Sequence, residues 1–240
     1  MKIKKNVKDH MKKERSTQAG SLLRQVILGG QDGLVNVLGL ILGVAAATND
    51  ARIVIIAGLA ATMAESISMA AVAYTSSKAE KEYYQKELAR EMWEIRHIPE
   101  MEREEIKIIY YKKGFRGKQL SGIVRKITSD KKLWLDVMMS EELGLAESRT
   151  KNPIAEGVVV GLSALIGSLI PLAPFFFLAV SNAMAWGLAV SILSLFIFGA
   201  IKSKITVGHW ARSGIEMAVV GTVAAILGYL IGVLLGSVYY

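Results

Sequence analysis

The chain has 240 residues, of which 52% are hydrophobic and 21% charged, with a formal net charge of +8 and a mean hydropathy of +0.37. Such a composition requires charged and apolar residues to be segregated along the chain. The absence of cysteine excludes a disulfide scaffold, thiolate zinc sites and Cys-ligated iron–sulfur clusters.

Residues 1–25 form a basic arm with eight Lys/Arg against Asp9 and Glu14. Apolar stretches follow at 26–47, 53–77, 154–177, 179–201 and 215–238. Each reaches about 20 residues, the length that crosses a ~30 Å hydrocarbon layer as a helix. The first stretch is too long, and too far along the chain, for a cleaved signal peptide. Between the second and third lies a polar insert, 78–151, with seventeen Lys/Arg and fourteen Asp/Glu. The expected fold class is therefore an all-α integral membrane protein. Five transmembrane helices are divided as 26–77 and 152–240, with a helical insert between the second and third.

Loop charge sets the orientation. Lys and Arg crowd the arm and the insert, and three (Lys202, Lys204 and Arg212) lie between the fourth and fifth stretches. The remaining connections hold only Arg52. The N-terminus and 78–151 are therefore expected in the cytoplasm and Tyr240 outside. This topology accounts for the basic balance without nucleic acid. Lys2 to Lys13 are placed to touch anionic headgroups, each worth about 1 kcal/mol near the surface.

Two of the five stretches carry internal carboxylates. Asp32 lies about six residues into the first, with Asn36 a turn further along the same face. Glu65 and Met69 share a face of the second. A charge at bilayer depth costs several kcal/mol and generally faces protein or a water-lined path. At ~1.5 Å per residue, Asp32 and Met69 fall near one level, with Glu65 one turn deeper. The alternative is an Asp that snorkels or caps a helix end. Glu156 and Glu216 fit helix starts, where a carboxylate favours the dipole. Glycines at four-residue spacing (Gly29 and Gly33, Gly39 and Gly43, and Gly228, Gly232 and Gly236) allow close helix approach, within the chain or across a dimer seam.

The second stretch has no stop signal and is expected to run on as one helix into the insert, broken at Pro99. A second piece ends at Gly114 and Gly117. Helices at about 119–128 and 130–143 follow, the last stopping at Gly144. Glu91 and Glu94 are three apart, as are Glu102 and Glu105, and the pairs are offset by eleven residues. Each pair shares a helix face. Met138, Met139 and Glu142 lie within one turn of each other. Carboxylates and thioethers together suit a divalent transition metal. Solvated acidic faces and methionine core packing give the same pattern.

The motifs GGQDGLVNVLGLILGV at 29–44, AGLAATMAESISMAAVAYTSS at 57–77, MMSEELGL at 138–145 and PLAPF at 171–175 resemble the vacuolar iron transporter family. The resemblance covers most of residues 20–240. It implies five transmembrane helices, a cytoplasmic metal-binding domain, a homodimer in the lipid bilayer, and export of Fe²⁺ from the cytoplasm in exchange for protons. By the same resemblance Asp32 and Met69 are pore metal ligands, and Glu91, Glu94, Glu102, Glu105, Met138, Met139 and Glu142 are ligands of the cytoplasmic domain. No cofactor is expected to be permanently bound; Fe²⁺, Mn²⁺ or Zn²⁺ is cargo and regulator.

This sequence departs from the family pattern at three places. Val72-Ala73 stand where Gly-Glu often follows, Ala61 where some members carry a carboxylate, and Glu65 where a small residue is more usual. A membrane metal-sensing or storage protein and a Mn²⁺ transporter are alternatives. A membrane di-iron enzyme is a remote one, since Glu94 and His97 have the Glu-x-x-His form but no second copy exists. With no organellar targeting pattern, a prokaryotic plasma membrane is the expected location.

Overall fold

The computed structural model describes residues 17–145, 152–203 and 208–239. Most of the basic arm, residues 146–151 and Lys204 lie outside them. In chain order, α1 is Thr17–Thr48, α2 Ala51–His97, α3 Pro99–Lys112, α4 Gly117–Thr128 and α5 Lys131–Val137. A π turn, Met138–Glu142, continues α5. Then come α6 Pro153–Leu172, a 3-10 turn Ala173–Phe176, α7 Val180–Ser203 and α8 Trp210–Tyr239. No strand occurs among the described residues. Each predicted apolar stretch lies on one of five helices long and apolar enough to cross a membrane.

The chain divides into two compact units, 1–74 with 154–240, and 75–153. The first is the apolar bundle. Its centre is α1, whose Leu34, Val37, Leu38, Ile41, Leu42 and Ala45 are all buried. Their 3–4 residue spacing places them on successive turns of one broad face. Val37, Ile41 and Ala45 pack with Val54 of α2, Leu172 and Phe175 of α6 and its 3-10 turn, and Ala183 of α7. Leu34 joins Leu195 and Met217, and Leu38 and Leu42 join Ala225. The outer face is also apolar: Ile56 is 69% exposed and Leu234 65%, beside Ile67, Leu162 and Ile166. A water-soluble fold does not leave so much hydrocarbon uncovered. This is an integral membrane protein.

The four-residue glycine spacing resolves into packing within the chain. A Cβ on Gly228 would run into the backbone of Gly39, and one on Gly232 into that of Gly43. Helices α1 and α8 thus approach backbone to backbone, as small residues permit in lipid. The link from α1 to α2 is two residues long. Asn49 takes a left-handed turn (φ 46°), and Asp50 accepts a hydrogen bond from the Arg52 amide at 2.8 Å, capping α2. Glu156 lies in the first turn of α6, as expected, and accepts from Gln25 at 2.7 Å. Glu216 does not sit in a first turn. Helix α8 begins at Trp210, earlier than the hydropathy pattern implied, and Glu216 pairs with Arg212 at 3.2 Å one turn back.

The second unit holds the end of α2 with α3, α4, α5 and the π turn. Helix α2 runs unbroken for 47 residues and ends at His97, where Pro99 opens α3 as its first residue. A proline there loses no helical hydrogen bond and has φ already set. Asp130 caps α5 by accepting from the Lys132 and Leu133 amides. Gly144, with φ 65°, ends the last segment. Ile95, Ile106, Ile127, Trp134, Val137 and Met138 form the core. The predicted regular helix over 130–143 instead widens after Val137, where the Leu143 amide reaches the Met138 carbonyl at 3.2 Å. That extra residue per turn rotates Glu141 and Glu142 away from the register of a straight α-helix.

Candidate metal and proton sites

In the bundle, the Asn36 side-chain amide donates to Glu65 Oε1 at 3.1 Å, and the Glu65 carboxyl lies within hydrogen-bonding reach of Asp32. Depth arithmetic had put Glu65 one turn beyond Asp32. The structure brings the Glu65 carboxyl back toward Asp32, because a glutamate stem spans most of the ~5.4 Å turn. Two neighbouring carboxyls of this kind accommodate a shared proton or a cation between them. Asn36 then holds Glu65 in place from the α1 side. A groove of ≈ 380 Å³ opens beside the pair, lined by Asn36, Val37, Leu40, Ala61, Ala64, Glu65 and Ser68. Met69 is half-buried one turn after Glu65 on the same helix.

In the second unit, the Pro99 break brings the acidic pairs of two helices together. Glu91, Glu94 and Glu102 each offer an oxygen within 4.8 Å of the other two. Glu91 and Glu102 are buried, at 1% and 2% exposure, and one carboxyl oxygen of each has no hydrogen-bond partner. Buried oxygens without partners are costly to hold in that state, and a cation relieves the cost.

Glu105 and Glu142 lie beside them and complete a five-carboxyl group, with Glu105 close enough to act on the Glu142 carboxyl. Burial pushes Glu102 up to about 8, and the charges of Glu105, Glu91, Glu94 and Glu142 add to the rise. Desolvation likewise pushes Glu142 up to about 7, with Glu105 and Glu91 repelling its charge. Glu91 is raised by burial, a rise that Arg90 opposes. Divalent ions displace protons from such a group, so affinity increases with pH.

The methionines divide. Met138 packs in the apolar core with Ile106 and Trp134, and Met139 is buried at 2% exposure outside that cluster. His97 is not gathered with the acids. It stacks on Trp93, and its Nδ1 lies 2.8 Å from the Trp93 carbonyl. Among the His, Asp and Glu side chains of the described residues, the group that converges is Glu91, Glu94 and Glu102.

Sequence reasoning missed Glu87 and Arg90. Glu87 is 5% exposed and bonds Arg90 at 2.7 Å. The signal was present, since Glu87, Glu91 and Glu94 follow 4–3 spacing on one helical stripe.

A model of the VIT family matches residues 23–233. The chain belongs to the VIT family. It is 34% identical over 221 residues to "Vacuolar iron transporter 1" of Oryza sativa subsp. japonica, covering 92% of this chain and 88% of that protein. It is 31% identical over 223 residues to "Vacuolar iron transporter 1" of Arabidopsis thaliana, with 92% and 89% covered. A "Vacuolar iron transporter" of Toxoplasma gondii is 33% identical over 237 residues, with 95% and 78% covered. The resemblance read from the membrane motifs is thus a true family relationship. The VIT family and these relatives are transporters and not enzymes, which removes the di-iron oxidoreductase reading.

Proposed function

We propose that this VIT-family chain exports Fe²⁺ from the cytoplasm in exchange for protons. The observation that carries the proposal is the approach of Glu65, held by Asn36, to Asp32 on helices long and apolar enough to cross the membrane. A carboxyl pair binds protons or a divalent ion, one excluding the other, and that exclusion is the elementary requirement of an exchanger. Met69 adds a soft thioether that favours Fe²⁺ and related ions over Mg²⁺ and Ca²⁺. Moving a doubly charged ion out of an inside-negative compartment costs roughly 2 × 2.3 kcal/mol per 100 mV. Two protons entering per cycle cancel that cost and leave the pH gradient to drive export.

Glu65 and its partner Asn36 line a groove on the outer side of the bundle. Ionisable groups do not face hydrocarbon without heavy cost. A second copy of the chain covering this face satisfies that constraint, so we place the pore at the axis of a homodimer. Residues 75–153 lie on the cytoplasmic side in this reading. There Glu91, Glu94, Glu102, Glu105 and Glu142 collect metal for the pore, with Met138 and Met139 on the π turn that carries Glu142. Loop charge supports a cytoplasmic position for this side, and we read the bundle as lying in a prokaryotic plasma membrane. The all-carboxylate character of the convergent group also suits Mn²⁺, which makes it a second cargo.

The test is Fe²⁺ flux into proteoliposomes under an imposed pH gradient, with Mn²⁺ and Zn²⁺ as competitors. Gradient-dependent uptake that disappears in Asp32→Ala supports the proposal. Metal binding without flux in the wild type would move the protein to a sensing or storage role.

A further inference from the structure

Arg90 lies against the carboxylate group and bonds three acids at once. Its Nη1 is 2.7 Å from Glu87 Oε2, its Nη2 is 3.1 Å from Glu91 Oε1, and its Nε is 3.6 Å from Glu94 Oε2. Two of these, Glu91 and Glu94, belong to the convergent ligand group. Glu87 does not, although it is buried, as Glu91 is, and makes the shortest of the three contacts. The guanidinium therefore occupies one oxygen of Glu91, while the other oxygen of Glu91 is buried without a partner. Among the described residues, Glu102 and Glu105 have no ion pair at all. The arginine side chain is 48% exposed, so its head moves without unpacking the core.

A guanidinium and a divalent ion need the same lone pairs, and each repels the other at a few ångströms. The positive charge beside Glu91 and Glu94 must be shed or tolerated when metal enters. Glu87, one turn earlier on α2, is a fixed anchor to which it withdraws. This requires no new contact, only loss of the two weaker ones.

We propose that Arg90 is a built-in counter-cation of the metal cluster. It balances Glu91 and Glu94 when metal is absent, competes with the incoming divalent ion, and retreats to Glu87 as the ion binds, so that affinity stays low enough for release. This inference rests on the reading that the glutamates bind metal, and deepens it by naming what sets their affinity. Arg90 is here a positioning and competing residue, not a ligand.

The experiment is Mn²⁺ titration by calorimetry of the full chain in detergent. It is carried out in an Asp32→Ala background so that the insert's glutamates are titrated rather than the membrane pair. Arg90→Gln is expected to bind Mn²⁺ about tenfold more tightly, the effect of removing one unit charge near a doubly charged ion in a water-like dielectric. Arg90→Lys, which keeps the charge, is expected to stay near the background value. Glu87→Gln is expected to bind several-fold more weakly, because the guanidinium then has only the cluster to pair with. The Arg90→Gln gain should shrink at high salt. A purely structural role for Arg90 would weaken binding in both glutamine variants, so tightening is diagnostic.

Unchanged or weaker binding in a folded Arg90→Gln overturns the inference and leaves the metal reading standing. If Arg90→Gln loses its circular dichroism signal, Glu87→Gln decides, and unchanged or tighter binding there overturns the inference. No Mn²⁺ binding in the background protein overturns the metal reading together with the inference.

Discussion

Glu102 gives the most quantitative expectation. Its carboxyl is 2% exposed, and burial with neighbouring charge raises it from 4.5 to about 8. The folded value lies above the unfolded one. Its contribution to stability is therefore complete below pH 4.5 and is lost as pH rises through about 8. At about 1.4 kcal/mol per pH unit, the gap amounts to on the order of 5 kcal/mol for the metal-free second unit. Glu142, raised to about 7, pushes in the same direction over a narrower window.

Hydrogen exchange by mass spectrometry on the metal-free chain in detergent measures this directly. Peptides from Pro99–Lys112 are followed at about pH 6 and about pH 8.5, with exchange times corrected for intrinsic rate. Protection should fall by several kcal/mol at the higher pH, and Mn²⁺ should restore it there. Glu102→Gln keeps the shape of the protonated acid. It should flatten the pH dependence and exceed the wild type at about pH 8.5 when metal is absent. Equal or greater protection of the metal-free wild type at the higher pH would refute the reasoning.

Three further outcomes follow from packing and ligand chemistry. Met69→Leu keeps volume but removes the thioether, so competition by Mg²⁺ in a liposome flux assay should rise while basal flux persists. Gly228→Leu drives a side chain into the Gly39 backbone. It should cost more than the ~1–3 kcal/mol of ordinary overpacking, read as a lower temperature of aggregation in detergent. Ile106 is fully buried in the core of the second unit. Ile106→Ala should destabilise that unit by about 2–5 kcal/mol, seen as lost exchange protection confined to 75–153.

Much of the fold was legible because hydrocarbon length and charge segregation are one-dimensional properties. The five apolar stretches and the Pro99 break needed only spacing, and α2 runs through to His97 because residues 74–88 contain nothing to stop it. Glu91, Glu94 and Glu102 were found because an i,i+3 pair shares a helix face, and the proline turns two such faces together. What spacing could not supply was three-dimensional. Gly39 and Gly43 meet Gly228 and Gly232 across nearly 190 positions of sequence, and nothing local distinguishes that seam from one between two chains. The π turn after Val137 depends on shifted hydrogen bonds, such as that from the Leu143 amide to the Met138 carbonyl, which leave no mark in residue spacing. Glu87 and Arg90 look like one more solvated charge pair until burial shows that Glu87 is enclosed. The early start of α8 was hidden because its first turn carries Arg212, Ser213 and Gly214, so the apolar pattern begins only after them.

The central claim is that one carboxyl pair exchanges metal for protons, and proton movement coupled to Fe²⁺ entry tests it most directly. Proteoliposomes carrying a pH-sensitive dye, given an inward Fe²⁺ gradient and no imposed pH gradient, report both ions together. The account predicts alkalinisation of the lumen in step with Fe²⁺ uptake in the wild type. Glu65→Gln should uncouple or abolish it, and Asp32→Ala should show neither movement. Fe²⁺ uptake by the wild type with no proton movement, or undiminished coupling in Glu65→Gln, would contradict it.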